Sequence, residues 1–222
     1  MDKVEKSDKY FPIIGGSGLK LKCEPKFRYV LLVGLPGSGK DVVAKILEEK
    51  CGYKVIVMSE VIREKVLEMG LSETRENFRK IGLELRKRLG PAAVALLCIE
   101  KAKELEKIQK PAGFVINGIR NIEEIDAFKE KFGDSVITLA ILASKRIRFD
   151  RIRKRRTKGF DLIHRVRPMT YEDFLREDRE EIQLFDMGNA IAWADVFIVN
   201  DGTLQELEDK VLSAVMRGYE VG

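Results

Sequence analysis

The sequence predicts an α/β fold in which helices cover both faces of a five-stranded parallel sheet. From Phe27 onward, short apolar runs alternate with amphipathic stretches, and strands separated by helices imply parallel pairing with both faces covered. The first apolar run, residues 29–33, leads directly into a glycine-rich loop that ends in Gly39-Lys40. Nothing repeats at a fixed period, which excludes a solenoid. The chain is therefore predicted to form one α/β domain with its first loop at the end of its first strand.

The pattern of apolar residues sets the predicted elements in chain order. Short apolar runs predict strands, and amphipathic stretches with helix-start and helix-stop signals predict helices. The predicted strands are 28–33, 53–58, 113–117, 135–142 and 195–199. The predicted helices are 40–50, 60–69, 73–89, 92–108, 122–132, 144–156, 171–184 and 203–217. Residues 1–26 are polar and contain several glycines, and they are interpreted as a flexible leader before a single domain over 27–222.

Two segments interrupt the alternation of strands and helices. The stretch from about 59 to 110 is almost wholly helical and longer than one crossover requires, which suits a substrate-binding flap. From about 156 to 170, Gly159 and Pro168 break the helical pattern while basic residues persist, and this segment is interpreted as a lid. Residues 145–167 hold eleven Lys and Arg against two acids, so they account for the formal net charge of +5 and favour a polyanionic ligand.

Composition excludes several classes of protein. Charged residues make up 35% of the chain, and its apolar runs stay below the roughly 18 residues that cross a bilayer. The first residues lack the apolar core of a signal peptide, so we expect a cytoplasmic protein without a membrane partner. Cys23, Cys51 and Cys98 are odd in number and widely spaced, which argues against a disulfide framework and a metal knuckle. Trp193, between two alanines before the last strand, is expected in the core.

The chemistry is concentrated in the loop after the first strand. This loop reads Gly34-Leu35-Pro36-Gly37-Ser38-Gly39-Lys40-Asp41. Its glycines let successive backbone N–H groups converge on one point, the following helix adds its positive dipole end, and Lys40 can reach the β- and γ-phosphates of a nucleotide. A strand before the loop and a helix after it are the context that a phosphate-binding loop requires. The sequence therefore predicts a P-loop NTPase fold that binds a nucleoside triphosphate with Mg²⁺.

The metal site departs from the usual phosphate-loop pattern at two positions. Asp41 stands where a Ser or Thr hydroxyl normally reaches Mg²⁺, and Asn117 stands where an acidic residue usually ends the third strand. One hypothesis is that Asp41 coordinates Mg²⁺ instead, because a carboxylate is a hard oxygen ligand. The other is that Asp41 only supplies a favourable charge at the start of its helix, while phosphates and water hold the metal. The residue types leave both hypotheses open.

The ordered set of motifs resembles the nucleoside monophosphate kinases. That set comprises the phosphate loop, the helical insertion, a Gly-x-Arg turn after the third strand and the basic lid. A closer similarity, to an archaeal family of adenylate-kinase-related P-loop proteins whose substrate is not settled, covers about residues 27–217. It is carried by the segments GLPGSGKD, MSEVIRE, LELRKRLGPAAVA, INGIRN, RFDRIRKR and ADVFIVNDGTLQEL.

The resemblance implies a role for each matching residue. ATP would be held by the phosphate loop, residues 34–41, and by the loop after the last strand. The matching residues of that second loop are Asn200, Gly202 and Thr203. Arg151 and Arg155, four apart on one helix face, would cover the adenine ring and the transferring phosphoryl group.

The acceptor site implied by the resemblance is built from arginines, because a guanidinium fork suits bidentate phosphate binding. Arg63 and Arg120 match acceptor-binding positions, and Arg86 of the insertion is a third candidate. Arg63 and Arg86 also fit solvated helix faces, whereas Arg120 follows a central strand at the edge where parallel sheets bind ligands. The expected acceptor is a nucleotide or a nucleotide-like small molecule, and no side-chain general base is assigned.

Three other functions fit parts of the sequence. The ending from Ala194 to Leu204 also resembles dephospho-coenzyme A kinases, whose hydroxyl acceptor would require a base, a role that Asp41 could fill. The altered metal positions also permit a nucleotide-dependent binding or regulatory module with little transfer activity. RNA binding by residues 145–167 is least favoured, because only Phe149 and Phe160 are available there to stack on bases.

Overall fold

The computed structural model describes residues 23–157 and 170–217, except for the side chains of residue 75 and of residues 155–157. Its strands are β1 (Tyr29–Val33), β2 (Tyr53–Val57), β3 (Gly113–Ile119), β4 (Val136–Leu142) and β5 (Val196–Val199). They form one sheet in the order β2-β3-β1-β4-β5, and every pair of neighbours is parallel. The predicted five-stranded parallel sheet with helices on both faces is confirmed.

Helices connect the strands as the alternating pattern predicts. They are α1 (Lys40–Cys51), α2 (Met58–Glu68), α3 (Arg75–Leu89), α4 (Ala93–Gln109), α5 (Ile122–Phe132), α6 (Lys145–Thr157), α7 (Tyr171–Phe185), α8 (Met187–Ala192) and α9 (Leu204–Arg217). Each predicted helix is present within two residues of its expected bounds. The short helix α8 was not predicted, because six residues are too few to show a helical period. None of the helices in the described ranges has the length and apolar character that a membrane span requires.

The core lies on both faces of the sheet. Strand β1 is buried at every position, as expected for a central strand covered on both sides. Helices α1 and α9 pack on one face, while α2, α4, α5 and α8 pack on the other, and α3 lies against α2 and α4. The expectation that Trp193 is a core residue is wrong, since its side chain is 57% exposed. Ala190 and Ala194 take the inward positions of that segment.

A disulfide joins Cys23 to Cys51, so the expectation against one is also wrong. The pairing depends on tertiary contacts that spacing alone does not show. The Tyr53 hydroxyl donates to the Phe27 carbonyl oxygen at 2.5 Å, and this brings the segment before β1 against the end of α1. Residues 23–26, which sequence analysis places in the leader, therefore contact the core, whereas residues 1–22 lie outside the described residues.

The carboxyl ends of β1 and β3 lie at the edge of the sheet from which the phosphate loop begins. The register between these strands shifts after Leu32, which pairs with Asn117, whereas Val33 pairs with Ile119. The extra residue is Gly118, whose φ of 114° lies in a region that favours glycine. This bulge ends the regular pairing at the place where open parallel sheets bind their ligands.

Candidate functional site

The phosphate loop connects β1 to α1 and depends on its glycines for shape and packing. Gly37 and Gly39 have φ values of 80° and 105°, which favour glycine. A Cβ atom on Gly39 would lie 2.2 Å from Asn200 Nδ2, and one on Gly37 would lie 2.8 Å from the Arg148 carbonyl oxygen. Substitution at either position therefore strains the backbone and collides with a neighbouring element.

Lys40 lies over the phosphate loop at the start of α1. Its Nζ donates to the carbonyl oxygens of Gly34 at 2.6 Å and Leu35 at 3.4 Å. The first turn of α1 adds the positive end of the helix dipole. Together these groups form a site that is suited to the phosphates of a nucleotide.

The two departures from the usual metal pattern contact each other. Asn117 Nδ2 donates to Asp41 Oδ1 at 2.8 Å, and Asn117 is 4% exposed at the end of β3. A neutral amide therefore orients the carboxylate beside the phosphate loop. A carboxylate held by an amide is a hard oxygen donor of the kind that Mg²⁺ prefers, so these residues fit the metal that the fold implies.

The loop after β5 reaches the phosphate loop through Asn200. Its Nδ2 donates to the Ser38 carbonyl oxygen at 2.7 Å, and Arg151 Nη2 donates to the Asn200 carbonyl oxygen at 2.9 Å. Gly202 and Thr203 lie in an exposed turn where the Thr203 N–H donates to Glu206. The structure thus brings Asn200 and Arg151 together at the phosphate loop. The Arg155 side chain and lid residues 158–169 lie outside the described residues.

A buried arginine that sequence analysis missed supports the phosphate loop. Arg148 of α6 is 3% exposed, and its Nη1 and Nη2 donate to the two carboxylate oxygens of Asp178 at 2.5 and 2.7 Å. Nη1 also donates to the Pro36 carbonyl oxygen at 3.3 Å. The guanidinium carbon lies 5.1 Å from the centre of the Phe174 ring. The available signal was on α7, where Phe174 and Asp178 are four residues apart and share one helix face.

A cavity of about 460 Å³ lies between the helical insertion, the end of β3 and α7, and we name it the acceptor cavity after the prediction made for Arg86 and Arg120. Its volume is typical of small-molecule sites. Four arginines contribute to its lining, and they are Arg79, Arg86, Arg120 and Arg176. Two of these, Arg86 and Arg120, were predicted to bind the acceptor, and the structure brings them together here. Arg63 lies outside this cavity with its guanidinium on Glu73, and its acceptor role stays a prediction.

Carboxylates pair with these arginines. Arg86 Nη2 donates to Glu124 Oε1 at 2.5 Å, and the Arg120 backbone N–H donates to Glu124 Oε2 at 2.8 Å. Burial raises the pKa of the Glu124 carboxyl, and the neighbouring Arg86 charge opposes this rise. The buried pair fixes both Arg86 and the turn that carries Arg120.

The Arg120 side chain is held by α7. Its Nη1 donates to Glu181 Oε2 at 2.7 Å, and its guanidinium carbon lies 4.2 Å from the centre of the Phe185 ring. Burial lowers the pKa of Arg120, and the Glu181 carboxylate opposes this change. Sequence analysis did not single out Glu181, because it lies in an acidic helix typical of a solvated surface.

Comparisons with known proteins agree with this architecture. A family model described as an AAA domain matches residues 33–176. A UPF0200 protein from Thermococcus onnurineus is 37% identical over 187 residues, which cover 84% of this chain and 95% of that protein.

Solved structures of kinases have a similar fold at low sequence identity. A gluconokinase from Sinorhizobium meliloti has a TM-score of 0.51 and 16% identity, covering 85% of this chain and 91% of that one. A shikimate kinase from Acinetobacter baumannii, in complex with shikimate, has a TM-score of 0.50 and 17% identity, covering 89% and 97%. At such identities the similarity concerns the fold alone. The chain belongs to the UPF0200 family, and its domain has the P-loop kinase-like fold.

Proposed function

We propose that this protein is a kinase that transfers the γ-phosphoryl group of ATP to a nucleotide-like small molecule. The observation that carries the proposal is the position of the end of β3 between two sites. Asn117 binds Asp41 of the phosphate loop, and Arg120, three residues later, lines the acceptor cavity. One strand end therefore joins a donor site to an arginine-lined acceptor site.

Phosphoryl transfer requires aligned substrates, neutralised charge and exclusion of water. The amides of the phosphate loop and Lys40 would hold the phosphates of ATP, with Arg151 and Arg155 approaching from α6. Asp41 would hold Mg²⁺, and Asn117 would orient the carboxylate. When bound, the ion would neutralise charge on the β- and γ-phosphates.

The acceptor would bind in the cavity with its anionic group facing Arg120. Arg86 would support this position, because its own charge is held in place by Glu124. Arg63 would join the acceptor site only if its guanidinium left Glu73. A phosphate acceptor is already a nucleophile and needs no side-chain base.

Calorimetric titration of ATP in the presence of Mg²⁺ tests the donor site. We expect the wild-type protein to bind ATP and Lys40→Ala to bind it about a hundredfold more weakly, because an ionised donor to the phosphates is lost. Lys45→Ala is the matched control, since Lys45 lies on the same helix and its side chain is 70% exposed. Equal affinity in wild type and Lys40→Ala would contradict the proposed donor site.

A screen of acceptors with ATP and Mg²⁺ tests the reaction itself. We expect ADP and a phosphorylated product with at least one nucleoside monophosphate or related compound. Transfer to dephospho-coenzyme A alone would instead assign a hydroxyl acceptor. ATP binding without any phosphorylated product across the screen would overturn the kinase proposal and indicate a nucleotide-dependent binding module.

A further inference from the structure

The acceptor cavity is lined by charges of both signs. Its four arginines face three glutamates that all belong to α7, namely Glu177, Glu180 and Glu181. Arg120 donates to Glu181 at 2.7 Å, and Arg79 donates to Glu180 at 3.3 Å. A carboxylate such as Glu181 can hold an arginine in place, but three carboxylates in one wall would repel a ligand that carried only a phosphate. The glutamates therefore indicate a second chemical group on the ligand.

Buried contacts anchor helix α7, which forms one wall of this cavity. Phe174 and Phe185 are buried, and Asp178 forms the buried bidentate pair with Arg148. A capping box between Thr170 and Asp173 fixes the first turn of the helix. Because these contacts hold α7 against the rest of the domain, a small ligand would meet its glutamates in place.

Glu181 and Arg120 can both bind one ligand without separating. A guanidinium has five N–H donors and a carboxylate has several acceptor sites, so a bond between them leaves capacity on each partner. The Phe185 ring and the Glu181 carboxylate restrain the Arg120 guanidinium from two directions. The pair thus presents a donor and an acceptor side by side in the cavity.

We propose that the acceptor carries a hydroxyl or ammonium donor beside its anionic group, with Arg120 binding the anion and Glu181 binding the donor. The inference rests on the proposed function, because it names the chemical class of the acceptor. Glu180 contributes a second carboxylate one residue earlier on α7. The same carboxylates reject an anion that lacks such a donor, which gives selectivity through an unfavourable contact.

Two small probes of equal shape test this selectivity. Propyl phosphate and O-phosphoethanolamine differ only in a terminal methyl group, which is an ammonium group in the second. We expect wild type to bind O-phosphoethanolamine about tenfold more tightly, because a charge-assisted hydrogen bond to Glu181 is gained. The net charge of +5 would by itself favour the more negative propyl phosphate, so the direction of the preference is diagnostic.

Glu181→Gln should reduce the preference to less than about twofold, because the amide lacks the negative charge. Glu172→Gln is the matched control, since it makes the same change at an exposed position of α7 and should retain the preference. Glu180→Gln is a second variant at a side chain that is 46% exposed, and it should lower the preference about threefold. Binding is measured by calorimetry, and unfolding curves verify that each variant is folded.

Equal binding of the two probes by wild type, or an unchanged preference in Glu181→Gln, would overturn the inference. The titrations contain no ATP, so they do not depend on the phosphate loop. Failure of the kinase proposal would appear separately, as ATP binding without any phosphorylated product in the acceptor screen. The two failures are therefore distinguishable.

Discussion

The phosphate loop and the acceptor cavity are built in different ways. The loop is a contiguous segment, residues 34–41, whose main-chain shape depends on glycines and on close packing against Asn200 and Arg148. The cavity gathers side chains that are distant in sequence, since Arg120 and Glu181 are 61 residues apart. A site that is made of main-chain groups has a fixed shape and therefore suits one class of ligand. A site made of paired side chains can change its preference one substitution at a time.

The two regions also differ in the contacts that support them. On the donor side, the Arg148 and Asp178 side chains are 3% and 6% exposed, and the Cys23–Cys51 disulfide braces the end of α1. In the acceptor cavity, the Arg86–Glu124 pair is also buried, whereas the paired side chains of Arg79 and Glu180 are 37% and 46% exposed. Buried pairs are costly to break and exposed pairs contribute little. The Arg148–Asp178 pair should therefore contribute more to stability than the Arg79–Glu180 pair.

The largest expected effect on the free energy of unfolding comes from breaking the buried Arg148–Asp178 pair. Arg148→Met should lower the free energy of unfolding by about 3–5 kcal/mol, because it leaves the Asp178 carboxylate buried without its partner. Denaturant unfolding measures this loss. The double variant Arg148→Met with Asp178→Leu should recover most of it, since no buried charge is then left uncompensated.

Arg153→Met is the control for that experiment. Arg153 lies on the same helix and its pair with Asp150 is exposed, so the variant should lose less than about 1 kcal/mol. A similar loss in Arg148→Met and Arg153→Met would contradict the assignment of Arg148 as the main support of the donor side.

Loss of the disulfide should have the next largest effect on the free energy of unfolding. Its cysteines are 28 residues apart, and the chain-entropy estimate for a loop of this size is about 3.5 kcal/mol. Thermal unfolding with and without dithiothreitol measures the contribution, and the double variant Cys23→Ala/Cys51→Ala should be insensitive to the reductant.

A thiol count provides an independent measurement on the same bond. Burial raises the pKa of the Cys98 thiol to about 12, so this cysteine should not react in the native protein at mildly alkaline pH. The oxidised native protein should therefore show no reactive thiol, and the unfolded protein should show one. Three reactive thiols after unfolding without reductant would exclude the disulfide.

A smaller effect, on the Mg²⁺ dependence of ATP binding, is expected from a change at Asp41. Asp41→Ser should raise the Mg²⁺ concentration needed for ATP binding about tenfold, because the carboxylate beside the loop is lost. Adding Asn117→Asp should recover most of this loss by moving the acid to the end of β3. ATP titrations at several Mg²⁺ concentrations measure both variants, with Glu49→Gln on the same helix as the control. An unchanged Mg²⁺ dependence in Asp41→Ser would mean that Asp41 only stabilises its helix.

The sheet and the phosphate loop were predictable because each is encoded by adjacent residues. Apolar runs bounded by turn residues mark the strands, and Gly37, Gly39 and Lys40 follow β1 at the spacing that a phosphate-binding loop requires. The geometry of the strands and of the phosphate loop depends on the backbone preferences of neighbouring residues. This is also why Arg120, which follows a strand end, could be placed at the ligand edge of the sheet.

The supports of the site were not predictable, since they depend on tertiary packing. Arg148 and Arg151 look alike in a basic segment, yet the first is buried against Asp178 and the second donates to Asn200. Glu181 lies in an acidic helix, and no sequence pattern marks it as the partner of Arg120. Pairs between residues so far apart in the sequence are determined by the fold, and they leave no periodic pattern in the local sequence.

The smallest expected effect on stability concerns the exposed pair of the acceptor cavity. Arg79→Met should change the free energy of unfolding by less than about 1 kcal/mol, because both partners remain hydrated when the pair is broken. Denaturant unfolding of Arg79→Met, Glu180→Gln and the double variant measures the coupling between them. A loss as large as that of Arg148→Met would mean that this exposed pair supports the fold as strongly as the buried Arg148–Asp178 pair. A small loss would mean that the Arg79–Glu180 pair can be altered without unfolding the domain, as a site of adjustable specificity requires.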